Sequence, residues 1–379
     1  MNRKEFIRLG TVMAAASPLS LPKKQTTYKE PVTIDFVHDG LQLTPKEYAS
    51  LLMRLADENK IKPDYYSNDG VVKELESKFA TLLGHESSVF LPTGTLANHM
   101  AVRKLAGENR RVVVQELSHF YNDSGDCAQT LSNLNLIPLG QGSVEIKPEE
   151  LDYLIKKTKS GRVELKIGVL SIETPVRRLQ DRLYTDGNLK PILSMARENG
   201  IKLHLDGARL FVQSAHTNIS PAEYGRQFDT VYTSLWKCFN APSGAILAAS
   251  KAFTSNFYHE RRMFGGSLPA AWPYAAIALH YADDFISEYK KAWATAESLF
   301  TLLQKEDRIS ISRFDHGSHI VKMTVKGANM IKFKSVMLEK GIELNDGTAD
   351  TVLLKINSSL NRFTLGEIIM KFKDSLKEV

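Results

Sequence analysis

Leu203-His204-Leu205-Asp206-Gly207-Ala208-Arg209 decides how this chain is read, together with Ser234-Leu235-Trp236-Lys237 downstream. The first stretch predicts a buried strand that ends in an acid and runs into a Gly-Ala-Arg turn. The second closes another short apolar strand, predicted from Asp229 to Thr233, and puts Lys237 31 positions after Asp206. An acid and a lysine thus stand at the carboxyl ends of two successive strands. In open α/β sheets that edge is where ligands bind.

The pair has the chemistry of a pyridoxal phosphate (PLP) site. A lysine amine can hold the cofactor's aldehyde as a Schiff base, and an acid keeps the pyridine nitrogen protonated so that the ring accepts electrons. Burial and nearby cations would lower the pKa of Lys237 and leave an amine able to attack. Lys251, after the next strand, fits the pattern poorly. Thr93-Gly94-Thr95 falls between a predicted strand, Ser87 to Leu91, and a predicted helix, Thr95 to Leu105. Its N–H groups, glycine and hydroxyls suit a phosphate, although a simple N-cap explains the same residues.

With these residues in view, the chain resembles the threonine aldolase and β-eliminating lyase group of PLP enzymes, fold type I. The resemblance runs from about Ile34 to the C-terminus. It is carried by Leu91-Pro92-Thr93-Gly94-Thr95-Leu96-Ala97-Asn98, by Leu203 to Phe211, by Ser234 to Gly244 and by Arg261-Arg262-Met263-Phe264-Gly265-Gly266. It implies that His119 lies flat on the pyridine ring, where stacking stiffens the cofactor and an imidazole can assist proton movement. It also implies that Arg209 contacts the ring-hydroxyl side. A loop histidine and an ordinary ion pair are the plain alternatives for these two residues.

Composition sets the outer bounds. At 379 residues the chain can build a large core and two subdomains, and 43% hydrophobic with 24% charged residues is ordinary for a globular protein. The net charge of +6 is concentrated at the start, where Arg3, Lys4, Arg8, Lys23 and Lys24 face only Glu5. About +2 remains for the rest, which argues against nucleic acid as a partner. No run approaches the roughly 20 apolar residues of a membrane span. Cys127 and Cys238 cannot make a disulfide framework, and no metal site is expected.

The organisation follows from punctuation and periodicity. Residues 1–28 read as an export signal or a loose tail. Arg3-Lys4 before the weakly apolar Gly10 to Leu21 is similar to a twin-arginine signal with Lys4 in the second position. That predicts a periplasmic protein, the alternative being a frayed cytoplasmic terminus. Residues 29–70 form an N-terminal arm with one helix, Pro45 to Asn59, behind Thr44 as N-cap. In the resembling family such an arm helps build a neighbour's site. Residues 71–270 form the large PLP-binding domain. There strands at Arg111–Gln115, Leu134–Leu139, Lys166–Ile172, Lys202–Leu205 and Ala245–Ala249 alternate with helices such as Val71–Leu83, Pro148–Lys157 and Lys190–Glu198. Such alternation predicts a mostly parallel sheet with helices on both faces, and the resemblance implies that it is the seven-stranded sheet of fold type I (PLP-dependent transferase-like). Residues 271–379 hold linking helices and a small α+β domain, with strands near His319–Val325 and Val352–Ile356.

The chain also departs from its relatives. Threonine aldolases tend to have a Thr-His-Asn run whose histidine sits near the substrate's β-hydroxyl; here Thr174-Pro175-Val176-Arg177 follows Glu173. Ser267-Leu268-Pro269 stands where an arginine usually follows Gly265-Gly266. The arginine that clamps the substrate carboxylate is replaced near Leu353, with Arg177, Arg178, Lys355 or Arg362 as substitutes. The expected activity is a PLP-dependent lyase on a small β-hydroxy or β-substituted amino acid, of threonine aldolase type. Elimination, racemisation or transamination is the first alternative, and a PLP-binding protein with little catalysis the second. Lys237, His119 and Asp206 are the expected catalytic residues. Thr93, Gly94, Thr95 and Arg209 join them around the cofactor in a homodimer or homotetramer.

Overall fold

The computed structural model describes Thr33–Val379. The predicted export signal at residues 1–28 lies outside the described residues. Seven strands form the central sheet: β1 (Ser87–Leu91), β2 (Arg111–Gln115), β3 (Asn135–Leu139), β4 (Ile167–Glu173), β5 (Lys202–Asp206), β6 (Thr230–Ser234) and β7 (Ala245–Ala249). Their order is β1-β7-β6-β5-β4-β2-β3. Only β7 runs against its neighbours, so the sheet is mostly parallel.

Burial on both faces explains the apolar runs in these strands. Val112 and Val114 pack with Val102 and Ala106 of the helix Gly94–Ala106 on one face. Val113 points the other way, into the main core with Leu75 and Phe79 of the helix Gly70–Leu82 and with Ile192. The two-residue period of a strand thus assigns alternate valines to two helix layers. Strand β4 is buried along its whole length, and its pairing with β5 sets Glu173 opposite Asp206. That register places two acids side by side at the carboxyl edge.

The helix predicted from Lys190 begins earlier, at Asp186, and contains Pro191. Asp186-Gly187-Asn188 reads as a loop because glycine, asparagine and a nearby proline all discourage helix. A long-range contact overrides that preference. Glu145 accepts the N–H of Thr185 at 2.8 Å and its hydroxyl at 2.6 Å, and so anchors the residue that precedes the helix.

The small C-terminal sheet is antiparallel, with β8 (Ile309–Arg313), β9 (Ile320–Val325) and β10 (Thr351–Lys355) in the order β10-β9-β8. The helix Leu365–Lys377 covers it. A capping box between Thr364 and Glu367 starts that helix, and Ile368, Phe372 and Leu376 make its buried stripe. The arm enters here rather than lying loose. Ile34–Asp35 pairs in parallel with Ile342–Glu343, and the Phe36 carbonyl accepts the Lys355 N–H at 3.0 Å. Ile34 and Phe36 are fully buried in the core of the small domain. Among the described residues no helix is long and apolar enough to cross a membrane.

Phe36→Ala empties a buried ring position that only the arm can fill. The expected cost is about 3–5 kcal/mol, read as a lower denaturation midpoint in urea.

Candidate active site

The carboxyl ends of β2, β4, β5 and β6 open on one cavity of about 210 Å³. Thr93, Gly94, Thr95, His119, Asp206 and Lys237, all expected from the sequence, line it together. Glu173, Arg177, Tyr232, Trp236 and Ser243 complete most of the wall. A larger cavity of about 570 Å³, between His85, Lys104 and Arg226 among others, shares none of these residues.

Asp206 is held by a chain of buried polar groups. Its Oδ2 accepts from the Asn98 side-chain amide at 2.5 Å, and its Oδ1 from the Ala208 N–H at 3.2 Å. Behind it, His204 Nε2 lies 2.9 Å from Asn98 Oδ1, and His204 Nδ1 lies 2.7 Å from Thr230 Oγ1. Burial lowers the His204 pKa to about 4, so the ring is neutral. An amide oxygen can only accept, so Nε2 carries the proton and Nδ1 accepts from Thr230. The relay Thr230–His204–Asn98 therefore delivers an amide donor to Asp206 and fixes the plane of its carboxyl group. Sequence reading passed over Asn98 and His204. The signal was there in His204, a polar residue inside a strand whose neighbours are all apolar.

Lys237 sits on the single-turn helix Leu235–Cys238 that follows β6, and is buried. Burial lowers its pKa, and the charge of Arg209 lowers it further. Its amine lies 5.9 Å from the centroid of the Trp236 ring. Opposite stands Glu173, whose pKa is raised to about 8 by burial and then by the nearby Asp206. The Glu173 carboxyl accepts the His119 N–H, and also the Arg177 N–H at 2.9 Å. Gln115 clamps the same residue through its backbone, donating to the Glu173 carbonyl at 3.0 Å and accepting its N–H at 2.6 Å. His119 is neutral near pH 7 because burial lowers its pKa. Its Nδ1 is enclosed and has no hydrogen-bond partner among the described residues.

The helix Gly94–Ala106 starts at the cavity. Thr93 Oγ1 caps it by accepting the Leu96 N–H at 3.3 Å. The first N–H groups of a helix have no partner inside it and favour an anion. Gly94 is required here. A Cβ at that position would lie 1.9 Å from the Tyr232 hydroxyl, so only glycine lets the phenol stand against the helix start. Ser243 Oγ closes the far side by donating to the Pro92 carbonyl at 2.7 Å. An orphaned imidazole nitrogen, free helix N–H groups and a buried amine facing an acid fit a flat, phosphate-bearing aldehyde such as PLP.

Arg209 is buried near enough to Lys237 to lower its pKa, and it is not among the residues that line the cavity. Its Nε and Nη2 donate to the two Asp39 oxygens at 2.9 Å each, and its Nη1 lies 3.3 Å from Asp181. His319 and Lys355 also reach Asp39, at 3.1 and 3.3 Å. Burial alone would raise the Asp39 carboxyl, but Arg209 and Lys355 hold it well below the usual range. Asp39, Asp181 and His319 cluster closely enough to hold a metal, yet two cations already balance the two acids. Sequence reading missed this network, since Asp39 precedes Arg209 by 170 positions.

The chain belongs to the family described as beta-eliminating lyase, whose profile matches residues 54–326. It is 28% identical to a low-specificity L-threonine aldolase of Candida albicans over 63% of this chain, and the match spans 64% of that protein's length. Its fold is similar to that of a Listeria monocytogenes protein provisionally assigned as an L-allo-threonine aldolase. The TM-score there is 0.74 at 25% identity, covering 92% of this chain and 97% of the other. Serine palmitoyltransferase from S. paucimobilis, in a structure with PLP bound, shares the fold at a TM-score of 0.64 and 15% identity, covering 92% and 89% of the two chains.

The raised pKa of Glu173 gives a signed prediction. An unfolded glutamate ionises near 4.3, whereas the folded one keeps its proton up to about 8. The native state therefore binds more protons between these values, and its stability falls as pH rises through that window. Glu173→Gln removes the proton that is lost. Urea midpoints at pH 5, 6.5 and 8 should show the wild type losing stability relative to the variant; parallel curves would contradict the assignment.

Proposed function

We propose that this chain is a PLP-dependent lyase of the threonine aldolase type, which cleaves the Cα–Cβ bond of a small β-hydroxy amino acid. With threonine the products are glycine and acetaldehyde. The observation that carries the reading is the convergence of Lys237, Asp206 and an open helix start on one small cavity. Relatives named as threonine aldolases and a neighbour of the same fold with PLP support it.

Lys237 would hold the cofactor's aldehyde carbon, Asp206 its ring nitrogen, His119 one ring face, and the N–H groups of Gly94 and Thr95 its phosphate. Bound there, PLP withdraws electrons from bonds at the substrate Cα. The chain's own residues do the rest. The Asn98 amide keeps Asp206 oriented without movement during the reaction. Burial and the Arg209 charge lower the Lys237 pKa, which favours the uncharged amine that would bond the aldehyde carbon. Neutral His119 lines the cavity and is the imidazole there that can take the β-hydroxyl proton. That role matters because the run after Glu173 holds Pro175 and Val176 and no histidine. The same gap favours β-elimination as a second reading, in which the Cα proton leaves first.

Two further readings rest on the sequence. A homo-oligomer accords with the resemblance, and sedimentation of the purified protein tests it. Export accords with Arg3-Lys4 and the apolar stretch after it, and fractionation of cells tests that.

Purified protein loaded with PLP should absorb at roughly 410–430 nm, and Lys237→Ala should abolish the band. Threonine should yield glycine and acetaldehyde; a keto acid with ammonia would instead assign elimination. Asp206→Asn should keep the fold and lose about 10²–10³-fold in kcat, the usual cost of removing one preorganised electrostatic group.

His119 sets the acid limb of the pH profile. Burial lowers its pKa, so the fall in kcat/KM on acidification should lie below the ordinary histidine value of about 6.5. His119→Asn should flatten that limb.

A further inference from the structure

This inference rests on the amino-acid substrate proposed above and concerns what receives its carboxylate. A carboxylate leaving water for a partly buried cavity needs a fixed cation or several donors. Most nearby cations are already engaged. Lys237 is the residue assigned to the cofactor. Arg209 is locked by Asp39 and Asp181, and Lys355 rests on Asp39 at 3.3 Å. Arg178 grips Asp123 with both prongs, at 3.1 and 2.7 Å. Arg362 lies against Glu47 at 3.3 Å.

Arg177 differs from all of these. Among the described residues it is the one guanidinium that lines the cavity. It touches Asp123 through Nη1 alone, at 3.2 Å, and Arg178 already holds that acid bidentately. Two guanidiniums facing one carboxylate leave one positive charge over at the cavity wall. The Arg177 side chain is 52% exposed, so an entering anion can meet it. Its backbone is nonetheless fixed, because its N–H donates to the Glu173 carboxyl inside the site. A planar fork with free donors is the geometry that carboxylates select.

We propose that Arg177 is the carboxylate-binding residue of this site. The carboxylate is the substrate's α-carboxylate or one carried on its side chain, and binding measurements separate the two. PLP-loaded protein is titrated with glycine and with glycinamide, and the absorbance change of the bound cofactor is read. The ratio of the two affinities, compared between variants, cancels the different basicities of the amines. Arg177→Met should reduce the preference for glycine by about 10- to 100-fold, the loss of a charge-assisted hydrogen bond. Arg177→Lys should restore part of it, and glycinamide binding should stay unchanged in both. L-aspartate against L-asparagine forms the second arm; a loss confined to that pair assigns Arg177 to a side-chain carboxylate. If Arg177→Met retains both preferences, the proposal is overturned. A wild type whose absorbance responds to no amino acid would overturn the underlying enzymatic reading instead.

Discussion

Everything in this site depends on one electrostatic arrangement, a buried carboxyl at the end of β5 that faces a buried amine one strand away. Neither group would be placed there for stability, since removing a charge from water is costly unless it is paired or neutralised. The parallel sheet makes the arrangement possible. Its strands all deliver their carboxyl ends to the same edge, and the register of β4 on β5 sets Glu173 beside Asp206. Two acids, one amine and an imidazole then share a small volume, and each alters the proton affinity of the others. Burial and Asp206 push Glu173 up, while burial and Arg209 push Lys237 down. Opposed shifts in adjacent groups are a mark of a catalytic centre.

Around that centre the protein has built two separate supports. One is neutral and directional: Thr230, His204 and Asn98 pass hydrogen bonds in a single sense toward Asp206. The other is ionic and closed: Asp39, Asp181, Arg209 and Lys355 balance one another near Lys237. The first orients without adding charge, so it leaves Asp206 free to meet a cation. The second fixes the Arg209 charge near the lysine, where it lowers the amine's pKa against the opposing pull of Asp39. Gly94 serves the same end by steric means, since it lets Tyr232 brace the start of the phosphate-facing helix.

Much of this was legible in the residues, and the reasons for the remainder are physical. The strands β2 and β7 and the helix Pro45–Asp57, capped by Thr44, fall where the patterns put them, because apolar runs and caps are local signals. Six of the residues that line the cavity were legible because chemistry at strand ends needs particular residue types. Asp39 was not, since nothing local marks an acid that acts on a guanidinium 170 positions away. The helix start at Asp186 was hidden for a similar reason, as its anchor is Glu145. The edge strand β8 was overlooked although Ile309-Ser310-Ile311-Ser312 alternates as a half-buried strand should.

The arm ties these parts together. Ile34 and Asp35 form a two-stranded parallel sheet with Ile342–Glu343 in the small domain, Phe36 fills that domain's core, and three residues later Asp39 holds Arg209 beside the large sheet. One short run of backbone is thus both an edge strand for one lobe and a counter-ion for the other. A single proteolytic nick between Phe36 and Asp39 would loosen both fastenings at once, and the charge balance around the reactive amine would change although no residue of the cavity itself had been touched.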